Sequence, residues 1–298
     1  QNLRNAFVQT AQMNRTAIQA APIRTSPFGA PGKTSPHPYS WQQRLRSAYH
    51  RLWYRLSERL QWSRGIYREP AAGKLSGLTR EQAARIARLA SQYGLCFEGR
   101  YAQNTAIKNY AYLDLLDQAW NAQGNRVPRP TGGVMHDVGS ANFWYAAALH
   151  TFFEPARLVG IEVEGHRLYP NGHSRRDTAL GYTSQLTHTQ FVVADYADFH
   201  ESADIITSWF PFVTPTPLLA WRLPLSLFAP ERLFTRVAQN LKPSGLFIMV
   251  NHSEAEAAIA AGFCRAAGLT NLWQWTQPHH LRERSHPPVM SCWSVGHS

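Results

Sequence analysis

Five short apolar runs in the C-terminal half of the chain constrain the fold more than any other feature of the sequence. We predict that they form strands at 133–137, 158–162, 190–194, 204–208 and 245–250. Helix-like segments separate them, and the first three end at or beside an acid: Asp137, Glu162 and Asp195. This alternation is typical of a parallel, doubly wound sheet, which binds ligands at the carboxyl ends of its strands. We therefore predict an α/β fold with the first strand central and these acids at one edge.

The first run leads into a turn and then into a helix. Gly139 lies at the tightest point of this turn, followed by Ser140 and Ala141. A glycine lets the backbone approach a ligand closely, and a helix N-terminus presents N–H groups without partners. His136, beside Asp137, is a candidate general base; the alternative is a strand-end histidine that is hydrogen-bonded to backbone.

Four motifs in this order resemble class I S-adenosylmethionine-dependent methyltransferases. Asp137-Val138-Gly139-Ser140 resembles the opening of that family's D-x-G-x-G-x-G loop. Gly160-Ile161-Glu162 resembles the second motif and Ala194-Asp195 the third. The sequence from Leu241 to Leu246 resembles the "L-K-P-G-G" turn into the fifth strand.

The resemblance implies a Rossmann-like methyltransferase domain at 128–298 with S-adenosylmethionine as its cofactor. The cofactor-binding residues that it implies are Asp137, Gly139, Ser140, Ala141, Glu162 for the ribose hydroxyls and Asp195 for the adenine amino group. We expect no metal, because the histidines lack the spacing of a zinc motif. Ala141 and Phe143 stand where the loop's second and third glycines usually are, and the phenylalanine either crowds the cofactor or packs under the helix. Ser208-Trp209-Phe210-Pro211 lacks the Asn or Asp and the first proline of the N-P-P-Y pattern.

Two functions are consistent with these motifs. One is an S-adenosylmethionine-dependent methyltransferase that acts on RNA or a ribonucleoprotein. The other is a catalytically inactive, methyltransferase-like subunit with a structural or assembly role. The three acids favour the first, and Phe143 with the incomplete fourth motif favours the second.

The positive charge is confined to the N-terminal part of the chain. The chain has a net charge of +11. Residues 1–80 supply all of it, because they hold thirteen Lys and Arg against two acids. Residues 81–298 hold seventeen residues of each sign and are neutral overall. A one-sided excess of this kind indicates an anionic partner for the extension.

The composition of residues 1–40 predicts an extended basic arm. They contain no acid and seven prolines and glycines, and such a segment cannot bury enough apolar surface to order itself. A protein partner would then be needed to order the arm. Its composition also resembles an organelle-targeting sequence.

A helix that begins near Trp41 has two distinct faces. An apolar stripe repeats at three- and four-residue steps and comprises Trp41, Leu45, Tyr49, Leu52, Trp53, Leu56 and Leu60. Arg44, Arg51, Arg55 and Arg59 follow an adjacent face. Three interpretations stay open: a helix packed on the domain, an RNA-binding helix with arginines on phosphates, and a helix on an anionic membrane surface.

The rest of the extension, to residue 127, predicts a helical cap for the sheet. Thr79 and Gln82 form a capping-box pattern for a helix that ends at Gly94, and a further helix is expected at about 104–122.

Three widely spaced cysteines form no disulfide or metal pattern, and no apolar run is long enough to span a bilayer. We expect a soluble intracellular protein of the cytoplasm or an organelle matrix.

Overall fold

A computed structural model describes residues 39–124, 127–282 and 286–296. The predicted arm therefore lies, except for its last two residues, outside the described residues. The described residues from Trp41 onward cluster into one compact unit, and the predicted boundary near 127 stays a prediction.

The helices in the described residues are α1 (Trp41–Leu60), α2 (Arg80–Tyr93), α3 (Gln103–Gln123), α4 (Ala146–Phe153), α5 (Arg175–Thr183), α6 (Pro215–Ala220), α7 (Pro230–Asn240) and α8 (Glu254–Ala266). The strands are β1 (Val134–Val138), β2 (Arg157–Glu162), β3 (Thr189–Val193), β4 (Ala203–Trp209), β5 (Leu241–Asn251), β6 (Leu269–Thr276) and β7 (Val289–Val295).

All seven strands belong to one sheet with the order β3-β2-β1-β4-β5-β7-β6. Neighbours from β3 to β5 are parallel, whereas β7 runs antiparallel to both β5 and β6. The five predicted strands and the central position of β1 are confirmed. This order, with its one reversed strand, also confirms the class I methyltransferase fold that the resemblance implied.

Two strands were missed at the sequence level, and a third begins earlier than predicted. β5 starts at Leu241 rather than near 245, while β6 and β7 were not predicted. β7 lies between β5 and β6 and is largely buried, so it lacks the polar–apolar alternation that marks a half-exposed strand.

Helices cover both faces of the sheet. α3 and α4 contribute Tyr110, Leu113 and Leu149 to the core on one face, and α7 and α8 contribute Phe234 and Ala260 to the other. α2 begins with the predicted capping box, since Thr79 Oγ1 accepts from the Gln82 N–H at 3.1 Å and Gln82 Oε1 accepts from the Thr79 N–H at 2.9 Å. These helices place the loop between β1 and α4 at the carboxyl edge of the sheet.

α1 packs on the domain through its polar side. Ser47 and His50 are its buried residues, and Ser47 Oγ accepts from the Leu225 N–H at 2.9 Å. The tryptophans and leucines of the apolar stripe are exposed. The interpretation of α1 as a helix packed on the domain with solvated arginines therefore agrees with the structure, but the contact is made by the polar side of the helix and not by the apolar stripe. No helix in the described part of the chain is long and apolar enough to cross a membrane.

Candidate functional site

The loop after β1 keeps a glycine-like backbone although two of its three glycine positions carry side chains. Gly139, Ala141 and Phe143 all have positive φ angles, of 73°, 51° and 56°. The Gly139 and Ser140 N–H groups donate to the Ile161 carbonyl at 2.9 and 3.2 Å, which fixes the loop against β2. The loop thus has the left-handed turns that glycines usually provide, at a conformational cost for alanine and phenylalanine.

Phe143 packs beneath the loop rather than over it. Its side chain is fully buried, and a Cβ atom added at Gly160 would lie 2.5 Å from Phe143 Cδ1. The missing side chain on β2 therefore makes room for the ring. Of the two interpretations of Phe143, packing under the helix is the one that the structure shows.

Asp137 joins β1, β4 and the start of α4. It is fully buried, and its carboxylate accepts from the Tyr145 hydroxyl at 2.7 Å and from the Thr207 hydroxyl at 2.6 Å. Burial, which disfavours the charged form, raises the pKa of Asp137 to about 7. In this position Asp137 supports the loop from within the sheet.

Glu162, at the end of β2, contacts the loop directly. Its Oε2 accepts from the Ala141 N–H at 2.8 Å and its Oε1 accepts from the Glu164 N–H at 2.9 Å. Arg175, the first residue of α5, lies 3.2 Å from Glu162 Oε1 and 3.4 Å from Glu164 Oε2. Burial raises the pKa of Glu164 to about 7 even though Arg175 and Arg167 oppose that shift.

These contacts define what Glu162 can still bind. A carboxylate oxygen has two acceptor lone pairs, so Oε2 can accept one ribose hydroxyl in addition to the Ala141 N–H. A second hydroxyl at Oε1 would require the Arg175 guanidinium to shift toward Glu164. The loop and Glu162 therefore fit the ribose of S-adenosylmethionine, with Arg175 as a competing partner.

Tyr54 of α1 brings the remaining acids into one environment. Burial and the nearby carboxylates of Glu58, Asp195, Glu164 and Glu162 raise the pKa of the Tyr54 hydroxyl to about 12. That hydroxyl donates to the Val163 carbonyl at 3.5 Å. Two of the predicted acids, Glu162 and Asp195, thus influence the pKa of a tyrosine that sequence reasoning missed. No local motif could have indicated Tyr54, which lies more than 100 residues before them in the chain.

At the carboxyl ends of β1, β4 and β5, three buried polar side chains have no hydrogen-bond partner among the described residues. They are Ser140 through Oγ, Trp209 through Nε1 and Asn251 through both amide atoms. Ser208 pairs with Val138 of β1 and Met249 of β5, so these residues lie at or just after the ends of three adjacent strands. Buried polar groups are normally paired, which makes this edge suited to a ligand that supplies the missing partners.

Asn109 positions the start of α4 and was also missed. Its Nδ2 donates to the Trp144 carbonyl at 2.8 Å, and its Oδ1 accepts from the Ala148 N–H at 3.1 Å. The signal in the sequence was an amide next to the apolar residues of α3, a helix that is buried on most sides.

Other predicted residues lie apart from Glu162 and the loop after β1. His136 is fully buried with Nδ1 3.2 Å from the Tyr196 hydroxyl, and burial lowers its pKa to about 4. This location favours a structural role over that of a base. Arg44, Arg51, Arg55 and Arg59 are exposed on α1. The described residues contain no group of three His, Cys, Asp or Glu side chains that could hold a metal ion.

A separate open groove of about 1200 Å³ lies near the start of β2, away from the acids. Arg100, Arg129 and His150 are among its lining residues. The end of α4 forms part of its wall, which places it toward the amino ends of the strands. It contains none of the predicted site residues.

The chain matches no protein-family model and no curated protein. Its fold is similar to a protein from Haloferax volcanii, described as a methyltransferase and solved in complex with the Trm112 methyltransferase activator (17% identity, 62% of this chain and 94% of that one, TM-score 0.43). It is also similar to a TehB-like SAM-dependent methyltransferase from Corynebacterium glutamicum (12% identity, 72% and 97%, TM-score 0.41). A third similar structure is the tRNA methyltransferase TrmK from B. subtilis (10% identity, 62% and 65%, TM-score 0.41). Because these identities and TM-scores are low, the fold is identified from the strand order and register of the sheet and not from these similarities.

Proposed function

We propose that this chain is an S-adenosylmethionine-dependent methyltransferase. The observation that supports this most is the hydrogen bond from the Ala141 N–H to Glu162 Oε2, at 2.8 Å. It joins a loop with glycine-like turns to an acid at the end of the neighbouring strand. That combination suits a nucleoside whose ribose hydroxyls need a carboxylate acceptor at the end of the strand beside the loop.

Each predicted site residue has a role in this proposal. Glu162 accepts a ribose hydroxyl through Oε2, and Asp195 accepts from the adenine amino group. Gly139, Ser140 and Ala141 hold the methionine part through the loop, which Asp137 supports from below. When bound, S-adenosylmethionine supplies the methyl group.

The methyl acceptor would lie at the carboxyl ends of β1, β4 and β5, where Ser140, Trp209 and Asn251 are located. Their buried polar atoms have no partner in the described structure, so they are available to orient an acceptor. Methyl transfer depends mainly on such alignment of the acceptor with the methyl group. RNA or a ribonucleoprotein as the acceptor stays a prediction.

Isothermal titration of the full chain with S-adenosylmethionine, and with its demethylated product, tests the proposal. We expect both to bind, and Glu162→Ala to weaken binding by roughly 1.5–3 kcal/mol, the range for hydrogen bonds to a charged group. Glu231→Ala, at an exposed position of α7, is the matched control and should leave affinity unchanged. Equal affinity of the Glu162 and Glu231 variants would reject the site.

One observation favours the second function, a non-catalytic subunit. Arg175 already occupies one oxygen of Glu162 from a buried position, so the carboxylate is neutralised without a ligand. If neither compound binds the wild-type chain, the fold serves a structural or assembly role.

A further inference from the structure

The exposed apolar side chains are concentrated on one segment. Thirteen large apolar residues are exposed in the described structure, and nine of them lie between Trp41 and Ile66. They are Trp41, Leu45, Tyr49, Leu52, Trp53, Leu56, Leu60, Trp62 and Ile66, each between 41% and 69% exposed. Isolated exposed apolar residues are ordinary, but a contiguous group of this size marks an interaction surface.

The geometry of α1 directs this group away from the domain. At about 100° per residue, the centre of the apolar stripe lies about 150° around the helix from the inner face. Ser47, His50 and Tyr54 form that inner face, and the hydroxyl of Tyr54 donates to the carbonyl of Val163, the residue after Glu162. The stripe is therefore convex and outward-facing, with the domain behind it.

Cations border the stripe on both sides. Arg44, Arg51 and Arg55 follow one border and Arg46 the other, and all four are exposed. The one acid in the helix is Glu58, which is half-buried on the inner side. The surface is thus apolar and aromatic along its centre and positively charged at its edges.

The apolar surface continues to the carboxyl edge of the sheet. Trp62 Nε1 donates to the Gly172 carbonyl at 3.1 Å, in the loop after β2 that also carries the exposed Leu168. Arg167 of the same loop donates to the carbonyl of the exposed Trp221 at 2.7 Å. The surface therefore lies beside the candidate site.

We propose that α1, together with Trp62 and Ile66, binds the surface of an anionic lipid bilayer. The helix lies flat, with its stripe inserted at the boundary between headgroups and acyl chains and its arginines on lipid phosphates. Tryptophan suits this boundary because its ring is apolar and its N–H is polar. This inference does not depend on the proposed catalytic function.

Charge and shape disfavour other binding partners for the apolar stripe of α1. A second copy of the helix would bring arginines against arginines, with no exposed acid to offset them. Residues 1–38 contain no acid either, so they add positive charge rather than complement it. RNA would neutralise the arginines but leave the apolar stripe in water, because phosphate contacts bury no leucine. A bilayer accepts both the apolar centre and the charged borders of a convex helix.

Vesicle flotation with the full chain tests the proposal. We expect the protein to float with vesicles of phosphatidylcholine containing one-third phosphatidylserine, and far less with phosphatidylcholine alone. Replacing Leu52, Trp53 and Leu56 together with alanine should lower the partition coefficient by at least about tenfold, since less apolar area is inserted. Ile259→Ala with Leu272→Ala, the matched change at the two remaining exposed apolar positions, should not alter it.

The arginines give a second, independent measurement. Arg51→Gln and Arg55→Gln should each lower the partition coefficient about fivefold, since a cation near an anionic surface contributes about 1 kcal/mol. Arg265→Gln, at an exposed position of α8, is the control. Thermal unfolding should be unchanged for every variant, because each replaced side chain is exposed.

Three results would overturn the proposal. The first is a wild-type chain that stays unbound with phosphatidylserine vesicles at low salt. The second is binding to RNA alone, with a log–log salt slope of about −3 to −4 that depends on the four arginines and not on Leu52, Trp53 and Leu56. The third is a dimer, measured by light scattering, that the triple alanine variant dissociates; it would assign the stripe to a second copy.

Discussion

Phe143 and Gly160 illustrate how two distant residues share one volume. The phenylalanine ring lies where a side chain on β2 would otherwise lie, so each position restricts the other. From sequence, Phe143 was a departure from a glycine pattern whose consequence could not be decided. The ring's direction depends on a residue seventeen positions later, which no local pattern indicates.

We predict that Gly160→Ala lowers the free energy of unfolding by roughly 1–3 kcal/mol, the range for overpacking a filled core. The new Cβ would meet a buried ring that has no free space to move into. Urea denaturation measures the change. Gly262→Ala in α8, where an added Cβ meets no atom within 4 Å, is the control and should be neutral or stabilising. Equal effects of the two substitutions would contradict the packing described for Phe143.

Asp137 predicts a specific pH dependence of stability. Its pKa is raised to about 7 in the folded state, above the ordinary value near 4 of the unfolded chain. Between these values the folded state binds more protons, so this group makes stability fall as pH rises.

The variant that isolates this effect is Asp137→Asn, which keeps a partner for the Tyr145 and Thr207 hydroxyls. The stability of the wild type minus that of the variant should decrease from about pH 4 to pH 7, with a slope approaching 1.4 kcal/mol per pH unit. Denaturant titrations at several pH values measure it. A flat difference would show that Asp137 is ionised in the folded protein. The difference also cancels the opposite contribution of His136, whose pKa is lowered.

At the scale of elements, the segment that follows α1 is part of the domain. The Arg64 N–H donates to Asp177 Oδ2 at 3.0 Å, and the Tyr67 N–H donates to the Asp177 carbonyl at 3.0 Å. A Cβ on Gly181 would lie 1.7 Å from the Tyr67 carbonyl oxygen, so the segment packs directly on α5. It therefore supports the helix that carries Arg175.

We predict that a truncated chain starting at residue 78 loses order around α5, whereas one starting at residue 39 does not. Removing the segment takes away partners of Asp177 and exposes the face of α5 near Gly181. Hydrogen exchange in residues 163–184 should be at least about tenfold faster in the shorter chain, since local stability follows such contacts. Unchanged exchange would mean that α5 is held by the sheet alone.

Elements were predicted well where the residues that determine them lie close together in the sequence. The capping box of α2 and its end at Gly94 were confirmed because both are set within a few residues. The stripe on α1 was identified, but its orientation was not, because that depends on which partner the inner face meets. β7 was missed because both of its neighbours lie elsewhere in the sequence.

At the scale of the whole molecule, the strand order was predictable because few topologies join alternating strands and helices with right-handed connections. The positions of Glu162 and Asp195, at the carboxyl ends of the neighbouring strands β2 and β3, followed from that order. What the order could not give is the role of Tyr54 or the competition of Arg175 for Glu162. Both come from elements that reach the carboxyl edge from outside the sheet.

The position of α1 also gives the molecule a directional charge. Residues 41–80 hold nine Lys and Arg against two acids, and residues 81–298 are neutral overall. With the exposed arginines of α1 on one side of a neutral body, the protein has a permanent dipole. In the field of any anionic surface, that dipole exerts a torque that turns the carboxyl edge of the sheet forward before contact. Long-range electrostatic forces therefore orient the protein as it approaches the surface. The short-range contacts of α1 then form from an orientation that is already correct.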